Sequence, residues 1–106
     1  DMLGVPETTL DRHGAVSEAT ARAMAQGVLA HSRADWSVAI TGIAGPAGGS
    51  PDKPVGTVCF AWAWRDGGCE ACTSHFAGDR AAVRERSVRY ALLGLLARIA
   101  ERPLQA

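Results

Sequence analysis

The chain has no surplus of charge: its 11 basic and 11 acidic residues cancel to a formal net charge of zero. Nucleic-acid binding rests on clustered Lys and Arg that neutralise phosphates, so this balance gives it no support. A long apolar run is also missing; nothing approaches the roughly 20 residues a membrane-spanning helix needs. The opening Asp1-Met2-Leu3-Gly4-Val5 has no basic segment leading into an apolar stretch, so no signal peptide is readable there. These absences point to a cytoplasmic protein with neither a membrane nor a nucleic-acid partner. Aromatics are sparse at 6%, and Trp62 and Trp64 read as core residues rather than a platform for stacked bases.

Cysteine is scarce and odd in number: Cys59, Cys69 and Cys72. That suits reduced thiols better than a disulfide framework. Cys69-x-x-Cys72-x-x-His75 with Cys59 offers four soft metal ligands on paper. The segment alternates like a strand, however, which sends Cys69 and Cys72 to opposite faces. No metal site is expected.

What is present is a soluble composition, 47% hydrophobic and 21% charged, over 106 residues. That is one domain at most, with a modest core. Residues 1–15 form a Gly- and Pro-punctuated lead-in anchored by Leu3, Val5 and Leu10. A helix begins near Ser17, whose hydroxyl caps the first turn while Glu18 favours the positive end of the dipole. Its apolar face is Val16, Thr20, Ala23, Met24, Gly27, Val28 and His31, with His31 a packed core residue, and it fades near Ser32.

A short strand follows at 36–40, then a glycine- and proline-rich loop from Thr41 to Pro51 and a turn at Asp52-Lys53-Pro54. The longest strand runs from Gly56 to Trp64, with Thr57, Cys59, Ala61 and Ala63 on one face and Val58, Phe60, Trp62 and Trp64 on the other. Both faces are mostly apolar, as in a strand covered on both sides. Arg65-Asp66-Gly67-Gly68 is a hairpin turn, returning antiparallel from Cys69 to Phe76. Asp79 caps a last helix over 80–101, stopped by Pro103. Its second half, Tyr90 to Leu96, is apolar around much of its circumference and expects neighbours on more than one side. The order implies an α/β fold, a layered α/β/α sandwich with a mixed sheet, and a sheet this thin reads as incomplete.

The loop from Thr41 to Ser50 has glycines that would let backbone amides approach an anion or a carbonyl oxygen. It equally reads as a wide turn that needs glycine for its geometry; neither phosphate-loop nor dinucleotide spacing fits it. Arg80 and Arg84 lie four apart in the first turns of the last helix, where cations oppose the dipole. A bound phosphate or carboxylate would offset that cost, as would solvent or pairing with Asp79 and Glu85. Lys53 suits a structural role as well as a catalytic one. No serine or histidine sits in a nucleophile-elbow context.

Five blocks carry a family resemblance: Gly14-Ala15-Val16-Ser17-Glu18; Ala23-Met24-Ala25-Gln26-Gly27; Thr41-Gly42-Ile43-Ala44-Gly45-Pro46 with Gly48-Gly49; Lys53-Pro54-Val55-Gly56-Thr57-Val58; and Gly78-Asp79-Arg80 with Arg84. In order and spacing they resemble the CinA C-terminal domain, the nicotinamide mononucleotide deamidase family. The resemblance implies a metal-independent bacterial amidohydrolase of pyridine-nucleotide recycling, without a cofactor and often homo-oligomeric. It implies Thr41 and Gly42 lining the substrate pocket, Arg80 as the cationic partner of a pyridine nucleotide, and Arg84 as a second choice.

The family's nucleophilic serine stands in an E-S-C-T-G-G-type segment, followed by an activating tyrosine and lysine, ahead of the block that is Leu3-Gly4-Val5 here. None can be assigned to a residue present, and a nucleophile needs its base within hydrogen-bond reach. The chain is therefore expected to be the C-terminal portion of such a domain, inactive in hydrolysis alone. The alternative is a non-catalytic nucleotide-binding or interaction module completed by another chain.

Overall fold

The order of elements is α1 (Glu18–Ala30), β1 (Trp36–Gly42), β2 (Thr57–Trp64), β3 (Cys69–His75) and α2 (Arg80–Glu101). A computed structural model describes residues 15–45, 48–51 and 53–101. Leu3, Val5 and Leu10 as anchors, His13, Pro46, the turn residue Asp52 and the stop at Pro103 lie outside the described residues.

The sheet is built from sequence-adjacent strands in the order β1-β2-β3. β1 pairs antiparallel with β2, Ala39 opposite Ala61, and β2 pairs antiparallel with β3, Ala61 opposite Ala71. A mixed sheet was the expectation from sequence; every pairing among the described residues is antiparallel. The Arg65–Gly68 turn closes the β2–β3 hairpin as expected: the Trp64 amide donates to the Gly68 carbonyl (3.0 Å), and Gly68 N–H donates to Asp66 Oδ1 (3.1 Å).

Period-2 alternation sorts β2 into two cores, one under each helix. Cys59, Ala61 and Ala63 pack with Ala39 against Ala21, Ala25 and Leu29 of α1. Val58, Phe60 and Trp62 pack against Val83 and Ala91 of α2. The three-layer α/β/α arrangement is therefore present, with β2 buried along nearly its whole length. The same alternation separates the thiols, Cys69 joining the first core and Cys72 the second. Among the described residues no cluster of His, Cys, Asp and Glu could hold a metal ion.

Each helix start follows its sequence. The Ser17 hydroxyl accepts the Thr20 amide at 3.1 Å, and Asp79 Oδ1 accepts the Ala82 amide at 2.9 Å. The buried line of α1 differs from expectation: it is Thr20, Ala21, Ala25 and Leu29, with Met24 packed at its edge and Ala23, Gly27 and Val28 only partly covered. The sheet opposite is paved with alanines, so the narrow alanine ridge can come closest to it. His31, expected in the core, is exposed at the C-cap, its Nδ1 2.8 Å from the Gly27 carbonyl. No described helix is long and apolar enough to cross a membrane.

In α2 the buried line is Val83, Ser87 and Ala91, spaced four apart on one stripe. The apolar second half stays largely uncovered: Leu92, Leu93 and Leu96 are 52%, 59% and 64% exposed.

Candidate functional site

The loop between β1 and β2 returns on itself through a set of backbone bonds. Ile43 N–H donates to the Thr57 carbonyl (2.9 Å), and Gly56 N–H donates to the Ile43 carbonyl (2.6 Å). Farther out, the Ser50 amide donates to the Lys53 carbonyl at 3.0 Å, and the Lys53 amide donates to Ser50 Oγ at 3.1 Å. Thr57 Oγ1 donates to the Pro54 carbonyl at 2.6 Å, closing the return into β2. Gly56 sits at φ 96, a left-handed conformation, where a β-carbon would collide with the Phe76 carbonyl oxygen. The loop is thereby pinned to both neighbouring strands at its base.

Between this base and the first turns of α2 lies a cleft of about 200 Å³, lined by Ile40, Gly42, Ala44, Val58, Val83, Arg84, Ser87 and Val88. Its walls are mostly apolar, and Arg84 is the one charged residue of that lining. Gly42 admits the loop close to β2, since a β-carbon there would stand 2.9 Å from Val58 Cγ2. Ser87 is buried at the floor, and its hydroxyl donates to the Val83 carbonyl at 2.6 Å. That bond occupies its proton, so Ser87 presents an acceptor rather than a poised nucleophile.

Of the four residues expected at a substrate site, the structure brings Gly42 and Arg84 together on this cleft. Arg80 lies one turn earlier on α2, with Nη1 3.4 Å from the Gly45 carbonyl, and so ties the helix to the loop rim. Thr41 faces the other side of the sheet, where Oγ1 donates to the Ala15 carbonyl at 2.7 Å. On that side Lys53, Thr57, Cys59, Thr73 and His75 border a separate hollow at the start of α1. There Thr73 Oγ1 donates to Glu18 Oε2 at 2.7 Å.

The Asp79 carboxylate caps the positive end of α2, and Arg80 and Arg84 are the cations of its first two turns. An apolar slot with a guanidinium-bearing residue in its lining suits a flat, apolar molecule bearing an anion. Sequence reasoning missed six lining residues, Ile40, Ala44, Val58, Val83, Ser87 and Val88. The signal was available for two of them: Ser87 and Val88 follow Arg84 by three and four positions, one turn on.

The CinA C-terminal domain sequence profile matches residues 1–99. A CinA-like protein of Akkermansia muciniphila is 52% identical over 96 residues, 91% of this chain and 23% of that protein. A CinA-like protein of Mycolicibacterium gilvum is 55% identical over 92 residues, 87% of this chain and 22% of that protein. The solved competence/damage inducible protein of Agrobacterium tumefaciens superposes with a TM-score of 0.87 at 48% identity, covering 92% of this chain and 59% of that one. The competence damage-inducible protein A of Klebsiella pneumoniae gives a TM-score of 0.89 at 44% identity, covering 96% and 63%. The chain thus spans about a quarter of those curated relatives and about three fifths of those solved chains. On its sequence blocks, its layers and this matched span, the chain belongs to the CinA C-terminal domain family.

Proposed function

We propose that this chain supplies the nucleotide-holding part of a nicotinamide-nucleotide amidohydrolase site. The reaction would be nicotinamide mononucleotide plus water giving nicotinate mononucleotide and ammonia. The observation that carries the reading is the meeting of Gly42 and Arg84 on one apolar cleft, with Arg80 at the adjoining loop rim. A pyridine ring is flat and largely apolar, which suits the Ile40–Val58 wall. The phosphate is an anion that a guanidinium can hold through two parallel hydrogen bonds.

Arg84 is placed ahead of Arg80 as the anion partner because its side chain lines the cleft itself. Thr41 is assigned a supporting part, holding the start of the loop through Ala15. By the resemblance, the attacking serine belongs to an E-S-C-T-G-G-type segment that these 106 residues do not contain. Binding, not turnover, is therefore the property expected of this chain.

The test is calorimetric titration of the chain with nicotinate mononucleotide, beside Arg84→Gln and Arg80→Gln, with ammonia release from nicotinamide mononucleotide measured in parallel. Saturable binding weakened roughly tenfold or more by Arg84→Gln would support the reading, since hydrogen bonds to charged groups contribute about 1.5–3 kcal/mol. Affinity untouched by both substitutions would remove the cleft from the site. Ammonia release lost in Arg84→Gln would overturn the expectation of binding without turnover.

A further inference from the structure

We infer that Ser87 makes the cleft selective for a carboxamide over the corresponding acid, its hydroxyl oxygen accepting an amide N–H at the cleft floor. This rests on the pyridine-nucleotide reading of the cleft and adds to it the group that meets the reacting end. Ser87 stands in the middle of the buried stripe of α2, between Val83 and Ala91, where packing asks only for a small or apolar side chain. Ala91 fills that role one turn later without a polar atom, so close approach to the sheet does not require the Ser87 hydroxyl.

Ser87 is 5% exposed and borders the cleft. Its proton goes to the Val83 carbonyl at 2.6 Å, which leaves the oxygen as an acceptor and fixes its polarity. Ile40, Gly42, Ala44, Val58, Val83 and Val88 contribute no side-chain donor or acceptor to the same lining. Apart from Arg84, Ser87 is therefore the one polar side chain that a bound molecule meets there. An amide N–H satisfies its oxygen. A carboxylate would set lone pairs against lone pairs, and would give up water among apolar walls with no donor in return.

Size decides which end of the ligand goes in. Pockets that enclose a drug-sized molecule run to about 300–1,000 Å³, and this cleft has about 200 Å³. It holds a pyridine ring with its carboxamide and leaves a ribose phosphate outside. Arg84 precedes Ser87 by three positions, so the two share one face of α2, a turn apart. The ring then reaches in toward Ser87 while the phosphate stays with Arg84. Deamidation replaces the donor facing Ser87 by an acceptor, so the acid formed is held less tightly than the amide consumed.

Chemical-shift titrations of the 106-residue chain test this. One series compares nicotinamide and nicotinate mononucleotides; the other compares free nicotinamide, methyl nicotinate and nicotinate. Methyl nicotinate is uncharged but has no N–H, so it separates the hydrogen bond from charge and needs no variant. The expected result is a preference of roughly tenfold for the amide over the acid in the first series, and over both analogues in the second. Ser87→Ala removes the preference while the circular dichroism spectrum stays native, and Arg84→Gln weakens both nucleotides but keeps their ratio. Acid or ester bound as tightly as amide by the native chain overturns the inference, as does a preference that survives in Ser87→Ala. Nucleotides held through Arg84 without preference sink the Ser87 inference alone. A free amide selected through Ser87, with neither nucleotide bound, sinks the nucleotide reading alone. No binding in either series sinks both.

Discussion

Gly94 of α2 lies so close to Trp62 of β2 that a β-carbon on it would stand 2.5 Å from the ring Cζ2. The ring cannot easily retreat. Its Nε1 donates to the Ala91 carbonyl at 3.0 Å, Phe60 stacks at 5.9 Å, and the Arg98 guanidinium lies 3.7 Å above the ring centroid. Replacing a helical glycine by alanine ordinarily gains about 1 kcal/mol of helix propensity. Here overpacking, at about 1–3 kcal/mol, opposes that gain. Gly94→Ala is expected to destabilise by about 1 kcal/mol in urea unfolding, with the Trp62 fluorescence altered. A stabilised variant would mean that the ring has room to move.

Arg65 reaches from the hairpin to the far end of α1. Its Nη1 donates to the Leu29 carbonyl at 2.9 Å, and its Nη2 donates to the Ser32 carbonyl at 3.1 Å and also to the Ala34 carbonyl. α1 has no basic residue in its last turn, so this guanidinium supplies the cation that the helix end lacks. Arg65→Met should cost about 1–2 kcal/mol. Amide exchange should show the loss concentrated at the last turn of α1 and the 31–35 connection. A uniform loss across the sheet would show that the bond is not local.

Gly56 is the second glycine whose replacement has a defined cost. Any β-carbon there combines left-handed strain with a backbone collision at Phe76, whose amide donates to the Gly56 carbonyl at 2.9 Å. Gly56→Ala should lower stability by about 2 kcal/mol or more. Because Gly56 also bonds to Ile43, the pyridine-nucleotide binding proposed above should weaken with it. A variant of unchanged stability would place the β2–β3 contact elsewhere.

Burial pushes the Cys69 thiol above its ordinary pKa, with nearby Arg22 partly offsetting this. The fold therefore disfavours the thiolate. Its contribution to stability is fully present below the ordinary thiol pKa and is lost as pH rises through the folded value. Alkylation of Cys69 should need more alkaline solution than a free thiol, and Cys69→Ser should flatten the fall of stability at high pH. An alkylation midpoint at or below that of a free thiol would contradict the burial.

Most elements were legible because local chemistry and tertiary packing agree. Ser17 and Asp79 cap where their hydroxyl and carboxylate suggest, and the two faces of β2 separate as period 2 dictates. The rotation of α1 was not legible. Met24 and Val28 are the larger apolar groups, but which side goes down depends on Ala39, Ala61 and Ala63 across the gap. The site was half legible. Gly42 and Arg84 share a cleft, whereas the direction of Thr41 follows from its pairing with Cys59, a register that its own neighbours do not encode.

The alanine contact between α1 and the sheet has a consequence for how the molecule opens. Ala21 and Ala25, set against Ala39, Ala61 and Ala63, let α1 come close enough to meet all three strands, whereas α2 rests on β1 and β2, over Phe60, Trp62 and Val58. The second half of α2, where Leu92, Leu93 and Leu96 stay exposed, is then the lower-energy foldon, fraying before α1 leaves the sheet. Proteases meeting the native protein would cut first near Leu92–Leu96, where α2 has least to hold it.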